Sequence, residues 1–192
     1  NGDNDTFPLW YNQDVEGVRT DARVCNLSYL QTDWYIDQMR RPSYESPSLS
    51  INWDRIDYVS GTNEYIQIRP EMKESVLEFY KDHPKEAAEG LGEKHWVKNN
   101  EMHYIPTDTI EISLDKEALR KSGMMLPDSI PDKMYLPLKK RRLYKSELMM
   151  LEMMANDNWQ RPLFIAITVG SENHLGMDNY FVQEGLAYRL TP

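Results

Sequence analysis

Cysteine is nearly absent. Cys25 stands alone in 192 residues, so the chain can form neither an internal disulfide nor a cysteine-built zinc site. Its flanks, Arg23-Val24 and Asn26-Leu27, read as a strand around a buried, inert thiol. Long apolar runs are missing too. The longest, residues 163–166 continued through Ile167 and Val169 across Thr168, falls far short of the roughly 18 residues that a membrane-crossing helix needs. Basic residues are outnumbered, with 22 Lys and Arg against 31 Asp and Glu for a net charge of −9. A field of that sign repels phosphate and argues against nucleic acid as a partner. The exception is Lys139-Lys140-Arg141-Arg142, which reads either as a solvated loop before a helix or as a contact for anionic lipid or nucleic acid. Familiar catalytic spacings are also lacking. His83, His95, His103 and His174 form no HExxH. Ser60-Gly61 and Gly170-Ser171 belong to no G-x-S-x-G elbow or P-loop, which weighs against hydrolase and nucleoside-triphosphatase chemistry.

Aromatic residues, by contrast, are plentiful at 11% beside 40% hydrophobic residues overall, enough for a packed core. The spacing predicts a helix capped at Asp5 or Thr6, with Pro8 in its first turn and Gly17 as its stop. A strand over 22–28 and a helix from Thr32 or Asp33 to about Arg40 follow. This turn, helix, strand, helix order gives a βαβ-type rhythm whose first strand precedes Asn1. Residues 42–63 are rich in Ser, Pro, Asn and Asp and read as a long surface excursion. Further on come a strand over 65–68, a helix over 71–82, a strand over 109–114, a short helix over 115–121 and an edge strand over 134–138. A helix over 144–155, a doubly buried strand over 163–169, a helix over 178–183 and a strand over 186–190 complete the chain. The fold class expected is α/β, a layered α/β/α domain with a mixed, largely parallel sheet and a Rossmann-like opening. One domain spans 1–192, and 42–143 forms an insertion or subdomain within it.

Asp3-Asn4-Asp5 has the Asp-x-Asp form with which many nucleotide-sugar glycosyltransferases hold a divalent cation. The plainer reading is a loop whose carboxylates satisfy the free N–H groups of the helix that follows. No other cofactor is implied. Trp10, Tyr11, Trp34 and Tyr35 cluster around the opening helices. They serve either as core or as rigid apolar planes of the kind that carbohydrate and peptide sites use. The candidate ligand-binding residues are therefore Asp3, Asn4, Asp5, Trp10, Trp34 and Tyr35, with Asp3 and Asp5 also the candidates for metal.

Several phrases are more specific. The first block holds Asn1-Gly2-Asp3-Asn4-Asp5-Thr6-Phe7-Pro8-Leu9-Trp10-Tyr11, Val15-Glu16-Gly17-Val18-Arg19-Thr20-Asp21 and Thr32-Asp33-Trp34-Tyr35-Ile36. The second holds Asn158-Trp159-Gln160-Arg161-Pro162, Gly176-Met177-Asp178-Asn179-Tyr180-Phe181 and Glu184-Gly185-Leu186-Ala187-Tyr188-Arg189-Leu190. Together they resemble the soluble carboxyl-terminal part of a family of large bacterial polytopic membrane proteins. That family is related to protein O-mannosyltransferases of the membrane-embedded GT-C class. The resemblance implies an amino-terminal membrane region that binds a lipid-linked sugar and contains the catalytic acid. It places this part on the periplasmic side of the inner membrane, where it would position a polypeptide acceptor or glycan without catalysing the reaction. A scaffold that packs only on its own transmembrane region is the alternative, and a self-contained enzyme using Asp3 and Asp5 with a divalent cation is a third reading.

Overall fold

A computed structural model of the protein describes residues 2–74, 78, 81, 104–122, 129–157 and 159–192. Half of the expected helix over 71–82 lies outside the described residues, as does Gly123. Helix α1 (Asp3–Asp14) begins earlier than its caps predicted. Gly2 O already accepts from the Asp5 and Thr6 N–H groups at 3.2 and 3.1 Å. Thr6 does not cap because it is buried and its hydroxyl accepts from Asn26 Nδ2 at 2.9 Å. Pro8 consequently lies inside the helix rather than in its first turn. The chain then turns at Gly17, whose φ of +64° suits a residue without Cβ. Gln13 Nε2 fastens the returning loop by donating to the carbonyls of Arg19 and Ala22.

The strand expected over 22–28 does not form. Side chains, not a ladder, satisfy this backbone: the Tyr35 hydroxyl accepts from Asn26 N at 2.9 Å, and Asn26 Oδ1 accepts from Ser28 N at 2.9 Å. A 3-10 turn (Tyr29–Gln31) leads into α2 (Asp33–Met39), which buries Tyr35, Ile36 and Met39 and leaves Trp34 exposed. The excursion over 42–63 is not wholly a surface feature. Ile51, Trp53 and Tyr58 enter the core, and α3 (Arg55–Tyr58) is held by a capping box between Asp54 and Asp57.

Strands β1 (Tyr65–Ile68), β2 (Tyr104–Ile105), β3 (Thr109–Ser113), β4 (Lys133–Pro137) and β5 (Arg142–Tyr144) follow in sequence, with α4 (Lys116–Lys121) between β3 and β4. Asp115 caps α4 by accepting from the Glu117 and Ala118 N–H groups. Helix α5 (Lys145–Asp157) buries nine of its thirteen residues, and β6 (Phe164–Ala166), β7 (Phe181–Glu184) and β8 (Ala187–Leu190) close the chain. The protein is α/β, but the described strands do not form a largely parallel Rossmann-like sheet. They form three small sheets, β2-β1-β5, β3-β4 and β6-β8-β7, in which only β1 and β2 pair in parallel. The physical reason lies in the connections. The two-residue reversal from β7 to β8 favours an antiparallel pair, whereas a parallel pair needs a longer stretch of chain, such as the one that separates β1 from β2.

Two expectations near the C-terminus change as well. The run over 163–169 gives only the edge strand β6, whose Phe164 is half exposed. Residues 178–183 divide into a 3-10 turn (Asp178–Tyr180) and β7. Tyr180 reaches back to β4, where its hydroxyl accepts from Tyr135 N at 2.9 Å and donates to Tyr135 O at 3.4 Å. Beside it, Gly176 passes so close to Pro137 that a Cβ would sit 2.5 Å from the Pro137 carbonyl oxygen. One cluster of buried residues joins α2, Trp53, β1, β3, β4, β5 and α5. Among the described residues no helix is long and apolar enough to cross a membrane.

Candidate functional site

The structure brings Trp10, Trp34 and Tyr35, three of the six predicted site residues, into one row of rings with Phe7 and Tyr29. Phe7 meets Trp10 with ring centroids 5.9 Å apart, Trp10 stacks on Tyr29 at 6.2 Å, and Tyr29 meets Trp34 at 5.9 Å and Tyr35 at 5.6 Å. Trp34 is 54% exposed and Tyr35 is fully buried, so the adjacent pair splits between surface and core. Tyr11 is exposed and makes no part of the row. The two acids diverge. Asp3 Oδ1 accepts from the Tyr29 hydroxyl at 3.3 Å, whereas Asp5 Oδ2 accepts from the Thr168 hydroxyl at 2.6 Å. That hydroxyl holds the Asp5 carboxyl below its ordinary range. Asn4 is exposed in the first turn of α1. Among the described residues no group of three or more His, Cys, Asp or Glu side chains is gathered for a metal.

A cleft of about 480 Å³ opens beside the 3-10 turn that carries Tyr29, lined by Leu27, Gln31, Glu64, Tyr65, Tyr144 and Glu147 among others. Its construction begins with the antiparallel register of β1 and β5, which sets Tyr65 directly opposite Tyr144. Both tyrosines are half exposed, while Ile66 and Leu143 turn into the core. The Arg142 guanidinium lies 5.6 Å from the Tyr65 ring centroid and 5.7 Å from that of Tyr144.

The polar wall is knitted from distant segments. Lys145, fully buried at the start of α5, donates to Glu64 Oε1 at 2.8 Å. Glu64 also accepts from Gly61 N at 2.8 Å and Gln31 Nε2 at 3.1 Å. Lys145 foremost, then these other donors, hold the Glu64 carboxyl below its usual range. Gln31 Oε1 accepts from Ser146 N at 3.2 Å, so one amide joins the turn before α2 to the first turn of α5. Glu147 pairs with Lys140 and accepts from Tyr144 N at 2.8 Å, which is the helix-start half of a capping box. Lys140 in turn donates to Glu172 O at 2.9 Å and draws in the segment whose Asn173 lines the cleft.

Both cleft carboxylates face lysines and also accept backbone N–H groups. His174 lies elsewhere: its Nδ1 meets Asp178 Oδ1 at 2.7 Å, its Nε2 meets Val169 O at 3.1 Å, and the Phe181 ring abuts it edge-on at 5.0 Å. These contacts brace the C-terminal sheet. Cys25 packs against the core outside any strand, and burial pushes its thiol up to about 12, which leaves it protonated at neutral pH.

The family model for TMEM260-associated domain 2 matches residues 1–192. The chain belongs to that family. Membership in the TMEM260-associated domains makes it a membrane-protein-associated domain, as its end blocks implied. No curated protein and no solved structure matches the chain. The cleft itself was missed from the sequence, because Gln31, Glu64, Tyr65, Tyr144 and Glu147 are scattered over more than a hundred positions. One local signal was available for this TMEM260-associated domain: Glu147 stands three residues after Tyr144 at the start of an apolar helix, the spacing of a capping side chain.

Proposed function

We propose that the chain is an extracytoplasmic accessory domain of a membrane-embedded glycosyltransferase of the O-mannosyltransferase-like kind, working on the periplasmic side of a bacterial inner membrane. In this reading it packs on its own transmembrane region and positions a glycan or a sugar-bearing polypeptide in the Tyr65–Tyr144 cleft, without catalysing the transfer. The observation that carries it is the composition of that cleft. Two tyrosine rings offer flat apolar faces for the C–H side of a sugar. Gln31, Glu64 and Glu147 supply amide and carboxylate groups in positions fixed by their own hydrogen bonds, as specific hydroxyl recognition requires. The row Trp10, Tyr29, Trp34, with Asp3 on the Tyr29 hydroxyl, has its middle ring one residue along the chain from the cleft-lining Ser28 and offers a second run of planes for an acceptor. Asn4 and Asp5 flank its start, and Tyr35 supports it from beneath.

Isotope-edited NMR titration of the chain with mannosides, other simple glycosides and glycopeptides tests this reading. Shifts should concentrate on Gln31, Tyr65 and Tyr144, and Gln31→Ala should weaken binding by about tenfold, the worth of one specific hydrogen bond to a buried partner. Absence of shifts with every sugar would abandon the glycan reading. A non-catalytic scaffold is then the better account. The exposed Phe7, Leu9, Tyr11, Val15 and Val18 of α1 and the turn after it favour that alternative.

A further inference from the structure

The outward face of the β2-β1-β5 sheet is composed unlike the rest of this acidic chain. Alternation along β1 puts Tyr65 and Gln67 on it and carries on to Arg69, whose Nε donates to Gln67 Oε1 at 2.7 Å. β5 adds Arg142 and Tyr144, with Arg142 opposite Gln67. The turn before β5 carries two more exposed basic residues, Lys139 and Arg141, beside this face. Lys139, Arg141, Arg142 and Arg69 are all exposed, and none makes an ion pair with an acid among the described residues. Glu64 and Glu147, the carboxylates at the edge of this face, are already matched by Lys145 and Lys140.

We propose that this face docks the domain on an anionic phospholipid surface. Arg142 rests against two tyrosine rings, which hold its planar guanidinium in place while its N–H edge remains free for a phosphate oxygen pair. Tyrosine is suited to headgroup depth because one end of the ring is apolar and the other hydrogen-bonds. The net charge of −9 does not prevent this, since charges beyond about 8 Å are largely screened at physiological salt and the local cations decide. Duplex nucleic acid fits less well. Its binding calls on a longer basic stripe, typically about 6–10 phosphate contacts, and this face offers a compact group set beside aromatic rings. Its family is one of membrane-protein-associated domains, which favours a lipid surface over nucleic acid as the polyanion. The inference goes beyond the glycan reading and stands without it. Tyr65 and Tyr144 border both surfaces, so the test uses Lys139 and Arg141, which do not line the cleft.

The experiment is co-sedimentation of the 192-residue chain with vesicles of phosphatidylcholine alone or of phosphatidylcholine with phosphatidylglycerol, at low and physiological salt. Binding should require phosphatidylglycerol and weaken as salt rises. Lys139→Glu with Arg141→Glu should lower the partition coefficient by at least about tenfold, because each basic side chain near such a surface contributes about a fivefold factor. Arg142→Gln should lower it by about fivefold. Both variants change exposed residues, and an unchanged melting temperature would confirm that they fold. Equal partition onto neutral and anionic vesicles, no partition onto either, or full binding by the double variant would each overturn the proposal. Tighter binding to a short nucleic-acid duplex than to the anionic vesicles would overturn it in favour of the other polyanion. Failure of sugar binding alone would leave it standing.

Discussion

Helices α1 and α5 have nearly equal lengths, twelve and thirteen residues, and treat their side chains in opposite ways. α5 buries charged groups: Lys145, Glu147, Glu152 and Asp157 are all within the core or at its edge. α1 buries only Thr6 and leaves Phe7, Leu9 and Tyr11 about half exposed. Each inward charge of α5 has a partner from a remote segment or a flanking turn. Lys145 has Glu64, Glu147 has Lys140, Glu152 accepts from Asn52 N at 2.9 Å, and Asp157 accepts from Arg161 Nε at 3.2 Å. α1 is held by a few points instead, through Thr6 to Asn26, Asp5 to Thr168 and Asp14 to Tyr44. Burial therefore follows what surrounds an element as well as its own composition. A charge can enter a core when a partner is already waiting there.

That contrast can be broken most sharply by truncation. Leu148→Ala removes a fully buried side chain from α5 and should cost about 2–5 kcal/mol in urea unfolding. Phe7→Ala on α1 should stay within about 0.5 kcal/mol, as surface changes do. Comparable losses at the two positions would erase the distinction.

A smaller effect should come from the ion pair at the head of α5. Glu64→Gln leaves Lys145 buried without its carboxylate, for a loss of about 2–3 kcal/mol after allowance for the solvent that reaches Glu64. Lys145→Met in the same chain should restore part of it. The pH dependence has a definite sign. The folded Glu64 value is depressed, so its stabilising contribution is complete above the unfolded carboxyl value and is lost as pH falls through the folded one. Acid unfolding of the Glu64→Gln variant should accordingly be shallower than that of the parent, measured by circular dichroism.

The smallest perturbation is chemical. Iodoacetamide at neutral pH should label Cys25 at least about tenfold more slowly in the folded chain than in urea, because burial raises the thiol pKa and the core partly covers it. Equal rates would place Cys25 at the surface.

The local periodicities were largely legible. The alternation Ile110, Ile112 marked β3, the run of Leu and Met marked α5, and the alternation at 65–68 marked β1. What failed were segments whose backbone is satisfied from far away. Residues 22–28 look like a strand, yet the Tyr35 hydroxyl and the Asn26 side chain occupy groups that a neighbouring strand would need. Trp53 and Tyr58 enter the core from a stretch too polar to suggest burial. The aromatic row was foreseeable because Trp10 and Trp34 lie on adjoining short helices. The cleft was not, because Tyr65 and Tyr144 become neighbours only through strand register, a long-range property that no local pattern encodes.

Tyr180 has a consequence that concerns other copies of the chain. Among the described residues β4 pairs with β3 on one side only, so its opposite side would present polar backbone to any extended segment that drifted past. Pro137 brings no N–H to that side, and the Tyr180 hydroxyl occupies both the N–H and the carbonyl of Tyr135 in mid-strand. A single phenol thus closes the margin along which molecules would otherwise zip together into aggregates, and it does so without adding a strand.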